Sequence, residues 1–391
     1  MAKTIYKKKL KNGKEYYFHR LRHKNLRKPK DIYAKTVKEL EEKIKLITHD
    51  LDYNIQNNKD CFETFFSDWL FDVHFMGLKP STQMRYETIY RNHIKNSELS
   101  DIKIKEITSK DIQTYYNNKI KRGCSVTLVK SIHKIITPCI RYAYNNNFII
   151  KNFTSALILP KETEKDKLNK KSSVIPFTLE EQKKFISVIR GTKFEMIFLT
   201  ALNSGLREGE LLALTWKDIN FKDKYINVNK NLSVVTEISK KNGRGESTLE
   251  VQTPKTKKGI RKVSIPNFLA NALKQYKKQQ IKNRLKTNQF YNDNNLVFCD
   301  ELGNYLNRDK IVYRFKKVLE DNKMKEIKFH DLRHTYATRL FELGESAKTV
   351  QSFLGHSDVS VTLDTYTHVL DSMKETTASK LNDLYLTMGT K

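Results

Sequence analysis

Residues suited to one reaction recur toward the C-terminal end of this chain. His330 and Arg333 lie in His330-Asp331-Leu332-Arg333-His334. His356 follows Leu354-Gly355, and Tyr366 stands in Asp364-Thr365-Tyr366-Thr367-His368. Arg207 lies well upstream, in Ser204-Gly205-Leu206-Arg207-Glu208-Gly209-Glu210. Two guanidiniums, two imidazoles and a phenol have an obvious shared use. The cations bind one phosphodiester and the phenol attacks its phosphorus, which would cut DNA and rejoin it through a tyrosine.

Each position fits a part of that reaction. Gly205 lets the backbone turn tightly just ahead of Arg207. Arg207 can then fork onto two phosphate oxygens, a geometry lysine cannot copy. Glu210, three residues on, is expected to buttress it. His330 and Arg333 are at i and i+3, so both project from one helical face. A zinc reading competes, because His330 and His334 are at i and i+4. It lacks the intervening glutamate of metalloprotease helices, and Arg333 would sit beside the cation. No metal or cofactor is therefore expected, and His334 is read as structural or bonded to a neighbour. Gly355 predicts a helix stop and a sharp turn before His356. A free phenol has a pKa of about 10, so Tyr366 must lose a proton as it attacks. A nearby imidazole, or an arginine-rich field, can assist. The leaving 5′ oxygen needs a proton in return. A turn lysine suits that role, with Lys257 the first choice and Lys255 the fallback. The phosphorane formed on attack carries extra negative charge, which preorganised cations would stabilise most. Taken singly, an arginine at a helix start is usually a surface group and a lone histidine is usually packed or solvated. The combination changes that weighting.

The composition points the same way. Lys and Arg number 73 against 44 Asp and Glu, a net charge of +29. Such an excess implies a polyanionic partner, most simply nucleic acid. The charge is spread along the chain, as for a protein that wraps its partner with several surfaces. With 391 residues, two or three domains are expected. The cysteines, Cys61, Cys124, Cys139 and Cys299, are widely spaced without a C-x-x-C pair, so they read as reduced thiols. No run approaches the roughly 18 apolar residues of a membrane span. The N-terminus lacks a signal peptide's apolar region. The bacterial cytoplasm, on DNA, is the expected location.

Three regions are expected to position these groups. Residues 1–55 form a basic module; residues 1–50 hold sixteen Lys or Arg and six Asp or Glu, a net of +10. Strands over Ile5 to Leu10 and Glu15 to Arg20 flank an Asn12-Gly13 turn, a strong hairpin signal. A third strand is expected over Lys30 to Lys35, then a helix over Thr36 to Leu51 with Glu39 completing a capping box. Residues 60–158 read as all-helical, with helices over Cys61 to Phe75, Pro80 to Ile94, Thr108 to Ile120 and Ser125 to Asn145. Most of their aromatics should be core. Lys161 to Ser173 is polar and reads as a linker. Thr178-Leu179-Glu180-Glu181 is a capping box that opens the third region, 175–391. That region is mostly helical with one strand-rich insertion. Tyr225 to Val235 and Thr248 to Thr253 flank a turn at Gly243-Arg244-Gly245, and Lys257-Lys258-Gly259 turns into Arg261 to Pro266. One small antiparallel sheet is expected there.

In order, Arg207, Lys257, His330-x-x-Arg333, Leu354-Gly355-His356 and Tyr366 resemble the motifs of the tyrosine recombinase (phage integrase) family. The chain looks most like integrases of temperate phages and conjugative transposons. The resemblance implies a multidomain, mainly α fold with small β-sheets and a mixed α/β catalytic domain. The helical middle then resembles a core-site-binding domain, and residues 1–55 an arm-type DNA-binding domain. It further implies site-specific recombination through a 3′-phosphotyrosine, with double-stranded DNA and a homotetramer as partners and room for a directionality factor. Two alternatives compete: a type IB topoisomerase-like relaxing enzyme and a non-catalytic DNA-binding regulator.

Overall fold

The computed structural model describes residues 6–52, 60–163, 176–254, 259–287, 291–356, 358–360, 362–363, 366 and 385–388. The chain divides into two compact units. One is Met1–Thr163 with Thr236–Glu246, and the other is Glu164–Val235 with Ser247–Lys391.

In the first unit, β1 (Lys7–Lys11), β2 (Lys14–Leu21) and β3 (Lys30–Ala34) form an antiparallel sheet in the order β1-β2-β3. Asn12 and Gly13 take positive φ values of 52° and 74°, the backbone a two-residue hairpin turn of matching twist requires. Helix α1 (Val37–Asp52) comes next. Thr36 Oγ1 accepts from Glu39 N at 3.2 Å, while the Glu39 carboxylate reaches back to Lys35 N at 2.9 Å, one residue beyond the expected capping box. Leu21, Ile32, Ala34 and Leu40 make this module's small core.

Four helical stretches occupy the expected places. They are α2 (Phe62–Asp68), α3 (Pro80–Ile89), α4 (Ser109–Lys121) and α5 (Val126–Asn145). The first two each widen into a π-helical turn, at Trp69–His74 and Tyr90–Ile94. Thr108 and Asp111 cap α4 reciprocally, and Ser125 caps α5. Phe62, Phe66, Tyr115 and Tyr116 are core, as periodicity suggested, whereas Tyr144 is exposed. Residues 236–246 complete the unit. Ile238 packs on its core, Lys240 pairs with Asp68 at 2.7 Å, and Arg244 pairs with Glu87 at 2.7 Å.

The second unit begins with α6 (Leu179–Ile189), behind the Thr178–Glu181 capping box. The expected linker lies almost wholly outside the described residues. Helices α7 (Glu195–Ser204) and α8 (Glu208–Leu212) precede a three-stranded antiparallel sheet. Its strands are β4 (Ile219–Asn220), β5 (Tyr225–Val228) and β8 (Arg261–Ser264), in the order β4-β5-β8. Here the expectation of one small sheet needs correcting. The run Tyr225 to Val235 breaks at Asn229 and Lys230, whose side chains turn onto Asp218 at 3.2 Å and 2.7 Å. Beyond the break lies a separate pair, β6 (Asn231–Ser239) with β7 (Gly243–Gln252). Gly243-Arg244-Gly245 opens β7 instead of making the turn, which falls at residues 240–242. Helices α9 (Asn267–Thr287), α10 (Arg308–Asp321), α11 (Asp331–Glu342) and α12 (Ala347–Leu354) complete the described elements. Phe185, Phe198, Phe315 and Phe329 form an aromatic centre in the main core of this unit, while Val350 and Leu354 of α12 pack with Tyr336 and Phe341 of α11 in a smaller cluster.

Candidate active site

Two helix ends and one strand build the site. Helix α7 stops at Gly205, which is left-handed at φ 60°. A Cβ there would meet the Tyr336 ring at 2.4 Å, so glycine is required by space as well as by backbone. The chain then extends through Arg207, which heads α8. Glu210, one turn on, accepts from Arg207 N at 2.8 Å and from its guanidinium at 2.9 Å. The same carboxylate takes a two-pronged bond from Arg261 on β8, at 3.0 Å and 2.8 Å. Glu210 is thus the buttress the sequence suggested, but it holds two arginines.

Arg333, 3% exposed, projects from α11 between two helix C-termini. It donates to Gly205 O at 2.7 Å and to Leu354 O at 2.5 Å. Arg261 Nε donates to Phe353 O at 2.6 Å, and Arg207 reaches Gly355 O at 3.5 Å. Terminal helix carbonyls lack intrahelical partners and carry partial negative charge, so they are natural seats for guanidiniums. Gly355 is left-handed at φ 66° and ends α12 as expected, delivering His356 to the cluster.

The histidines differ in their partners. His356 Nδ1 lies 2.8 Å from Thr362 Oγ1. His334 Nδ1 lies 2.7 Å from the Tyr366 hydroxyl, the neighbour that the sequence left unnamed. His330 packs edge to face on His334, with ring centroids 5.1 Å apart. Tyr366 is fully buried, its ring against Phe341, in a cluster with Tyr336, Val350 and Leu354.

The electrostatics describe a hole for an anion. Burial, then Arg207 and Arg261, pushes Arg333 down to about 9. Burial, then Arg333 and Arg207, lowers His356 to about 4. Burial, then His330 and Arg333, lowers His334 to about 4. His330 keeps an open edge to solvent, yet the protein around its ring, then Arg333 and Arg207, lowers it too. Burial pushes the Tyr366 phenol well above its ordinary value, against the pull of Arg333. Burial works against the charge of Glu210, but the Arg261 hydrogen bond and both arginine charges hold it below the usual carboxylate range. One such carboxylate does not neutralise three guanidiniums, and the histidines answer by staying neutral.

The structure therefore brings together Arg207, His330, Arg333, His356 and Tyr366 from the sequence reading. Lys257 and Lys255 lie outside the described residues. Arg261 was not singled out as a site residue. Its signal was present, because it alternates with buried Val263 on β8 and so puts a charge on the inward face of a strand.

Residues 177–373 match the phage integrase family, and residues 61–120 match the phage integrase N-terminal SAM-like domain. The chain belongs to the phage integrase family. It is 38% identical to a "Tyrosine recombinase XerC-like" protein of Caldanaerobacter subterraneus subsp. tengcongensis, over 96% of this chain and 98% of that one. It is 28% identical to the ICEBs1 integrase of Bacillus subtilis, over 78% of each. Among solved structures, the Tn1549 transposon integrase in complex with a circular intermediate DNA covers 78% of this chain, at 20% identity and a TM-score of 0.59. A lambda integrase dimer bound to a COC′ core site covers 92%, at 17% identity and a TM-score of 0.56. Those two likenesses establish the fold. This phage integrase family member is a site-specific tyrosine recombinase of the phage and conjugative-transposon type. It breaks and rejoins DNA.

Proposed function

We propose that Tyr366 is the nucleophile of this recombinase and that Arg207, Arg333, His330 and His356 hold the scissile phosphate. The supporting observation is the convergence of Arg207, Arg261 and Arg333 on one carboxylate and two helix C-termini, beside a buried phenol. In the reaction, Tyr366 Oη bonds to phosphorus and the P–O5′ bond breaks. A 3′-phosphotyrosine forms and the 5′ oxygen leaves with a proton supplied by Lys257. The reverse attack by a partner strand's 5′ hydroxyl reseals the backbone. The bond energy stays in the protein–DNA ester, so no nucleotide cofactor is needed. Exchanging both strands of two duplexes takes four such tyrosines, hence a homotetramer on DNA.

The parts divide the labour. Residues 175–391 carry the chemistry, 60–158 grip the core site from a second face, and 1–55 bind an arm site. Together they integrate and excise a mobile element in the bacterial cytoplasm, with a directionality factor setting the balance. A nicked suicide duplex tests the reading. The parent protein forms a denaturant-resistant adduct and transfers the strand to a partner site, while Tyr366→Phe binds the duplex and forms no adduct. A parent adduct without transfer would indicate a relaxing enzyme, absence of any adduct a regulator, and an adduct from the Phe variant another nucleophile.

A further inference from the structure

We propose that His334 is the residue that holds the Tyr366 phenol and takes its proton during attack. The inference rests on Tyr366 being the nucleophile.

Two facts single out this histidine. Its Nδ1 lies 2.7 Å from the phenol oxygen, inside ordinary hydrogen-bond range. Its competitors make other contacts: His356 Nδ1 meets Thr362 Oγ1 at 2.8 Å, and the exposed His330 packs its ring edge to face on His334. The direction of the bond comes from burial. Tyr366 is 0% exposed, and a buried O–H that donated to nothing would cost about 1–3 kcal/mol. The phenol therefore donates, Nδ1 accepts, and the neutral ring carries its proton on Nε2.

Position on the helix couples this pair to the phosphate clamp. His334 is next to Arg333 on α11, and Arg333 feels Tyr366 as a neighbour. Without DNA, burial, then His330, Arg333 and His356, suppresses the proton affinity of His334. A phosphodiester on the guanidiniums offsets the part of that suppression due to Arg333. The base would then strengthen when its substrate arrives, which keeps the nucleophile unreactive on empty protein. On attack, the O–H bond of Tyr366 breaks as Oη bonds to phosphorus and the proton passes to His334 Nδ1. P–O5′ then breaks, with its oxygen protonated by a separate acid. When the ester is resealed, the proton returns to the phenol.

The experiment replaces His334 in the full chain and varies the acidity of the phenol. Adduct formation is measured on a nicked core duplex, with duplex binding measured alongside. His334→Ala is expected to slow adduct formation by roughly 100-fold or more, in the range of general-base loss. A fluorinated tyrosine, a more acidic phenol, placed at 366 should recover at least ~10-fold in that background and much less in the parent. His334→Asn keeps an oxygen near the Nδ1 position but cannot take the proton. It should show the same selective rescue, and it stands in if the alanine variant does not fold. Adduct formation within about 3-fold of the parent, or equal response to the fluorinated phenol in both backgrounds, overturns the proposal. If Tyr366→Phe abolishes the adduct while His334→Ala is parent-like, the nucleophile stands and only the role of His334 falls.

Discussion

Two regions of this molecule present positive charge, and they are built in opposite ways. Around Arg333 the cations are guanidiniums, buried or half-buried, each tied to a carboxylate or a helix-end carbonyl. On β1 they are lysines on a fully exposed strand. Lys9 lies 4.0 Å over the Phe18 ring and Lys11 4.6 Å over Tyr33. The first kind is oriented before any ligand arrives, so it costs no reorganisation when charge develops on phosphorus. The second is exposed, and on the proposed reading it gains mainly by releasing counterions from a duplex. On the proposed function, the contrast separates charge that does chemistry from charge that holds DNA.

Arg333→Lys strikes the first region hardest. A lysine cannot reach both Gly205 O and Leu354 O or present a fork. Adduct formation on a core duplex should fall roughly 10²–10³-fold, as when an oxyanion donor is lost. Duplex binding should change far less, because many other cations share it. Equal losses in binding and cleavage would erase the distinction between the two regions.

A moderate effect concerns pH. His334 and His356 are held near 4, below the ordinary 6.5 of an exposed imidazole. The groups facing them are Arg333 and His330, with His356 and the Tyr366 hydroxyl facing His334, and Arg207 and Arg261 facing His356. Because the folded-state values are depressed, the unfolded chain binds protons first as pH falls. Their neutral burial therefore stabilises the fold fully above about 6.5, and that contribution is lost progressively toward 4. The Tm of the DNA-free protein should drop between pH 7 and 5, and a bound core duplex should shrink the drop. Substituting both histidines with Asn should flatten the profile. An unchanged profile would mean that they titrate normally.

The same contrast explains what could be read from the sequence. The grouping of Arg207, the His330–Arg333 pair, His356 and Tyr366 was legible because the combination of residue types is unusual and the local signals, Gly205 and Gly355, mark helix ends. The N-terminal hairpin was legible because Asn12-Gly13 permits few other structures. Arg261 escaped because its meaning depends on which face of β8 turns inward, a long-range fact settled by Glu210 and the Phe353 carbonyl. The break between β5 and β6 escaped for a similar reason. Asn229 and Lys230 look like strand residues until Asp218, eleven residues from Asn229, draws them aside.

The smallest effect belongs to the sheet, and its smallness is the point. Lys7, Lys9 and Lys11 occupy alternate positions of β1 and so share one face. Lys9 and Lys11 stand over aromatic rings, which favours their placement by about 0.5–1 kcal/mol at an exposed site without removing their hydration. Replacing all three with serine leaves the core of the module, at Leu21, Ile32, Ala34 and Leu40, untouched, so the sheet should keep its Tm. Each lysine that meets a phosphate contributes about one to the slope of log affinity against log salt. The triple variant should therefore bind long attachment-site DNA with a slope shallower by up to about 3. Adduct formation on a short core duplex should stay within about 2-fold of the parent. A salt titration of binding, run beside the cleavage assay, checks both halves. A core-cleavage loss as large as that of Arg333→Lys would show that the sheet's lysines serve the chemistry after all, and the two kinds of charge would have to be treated as one.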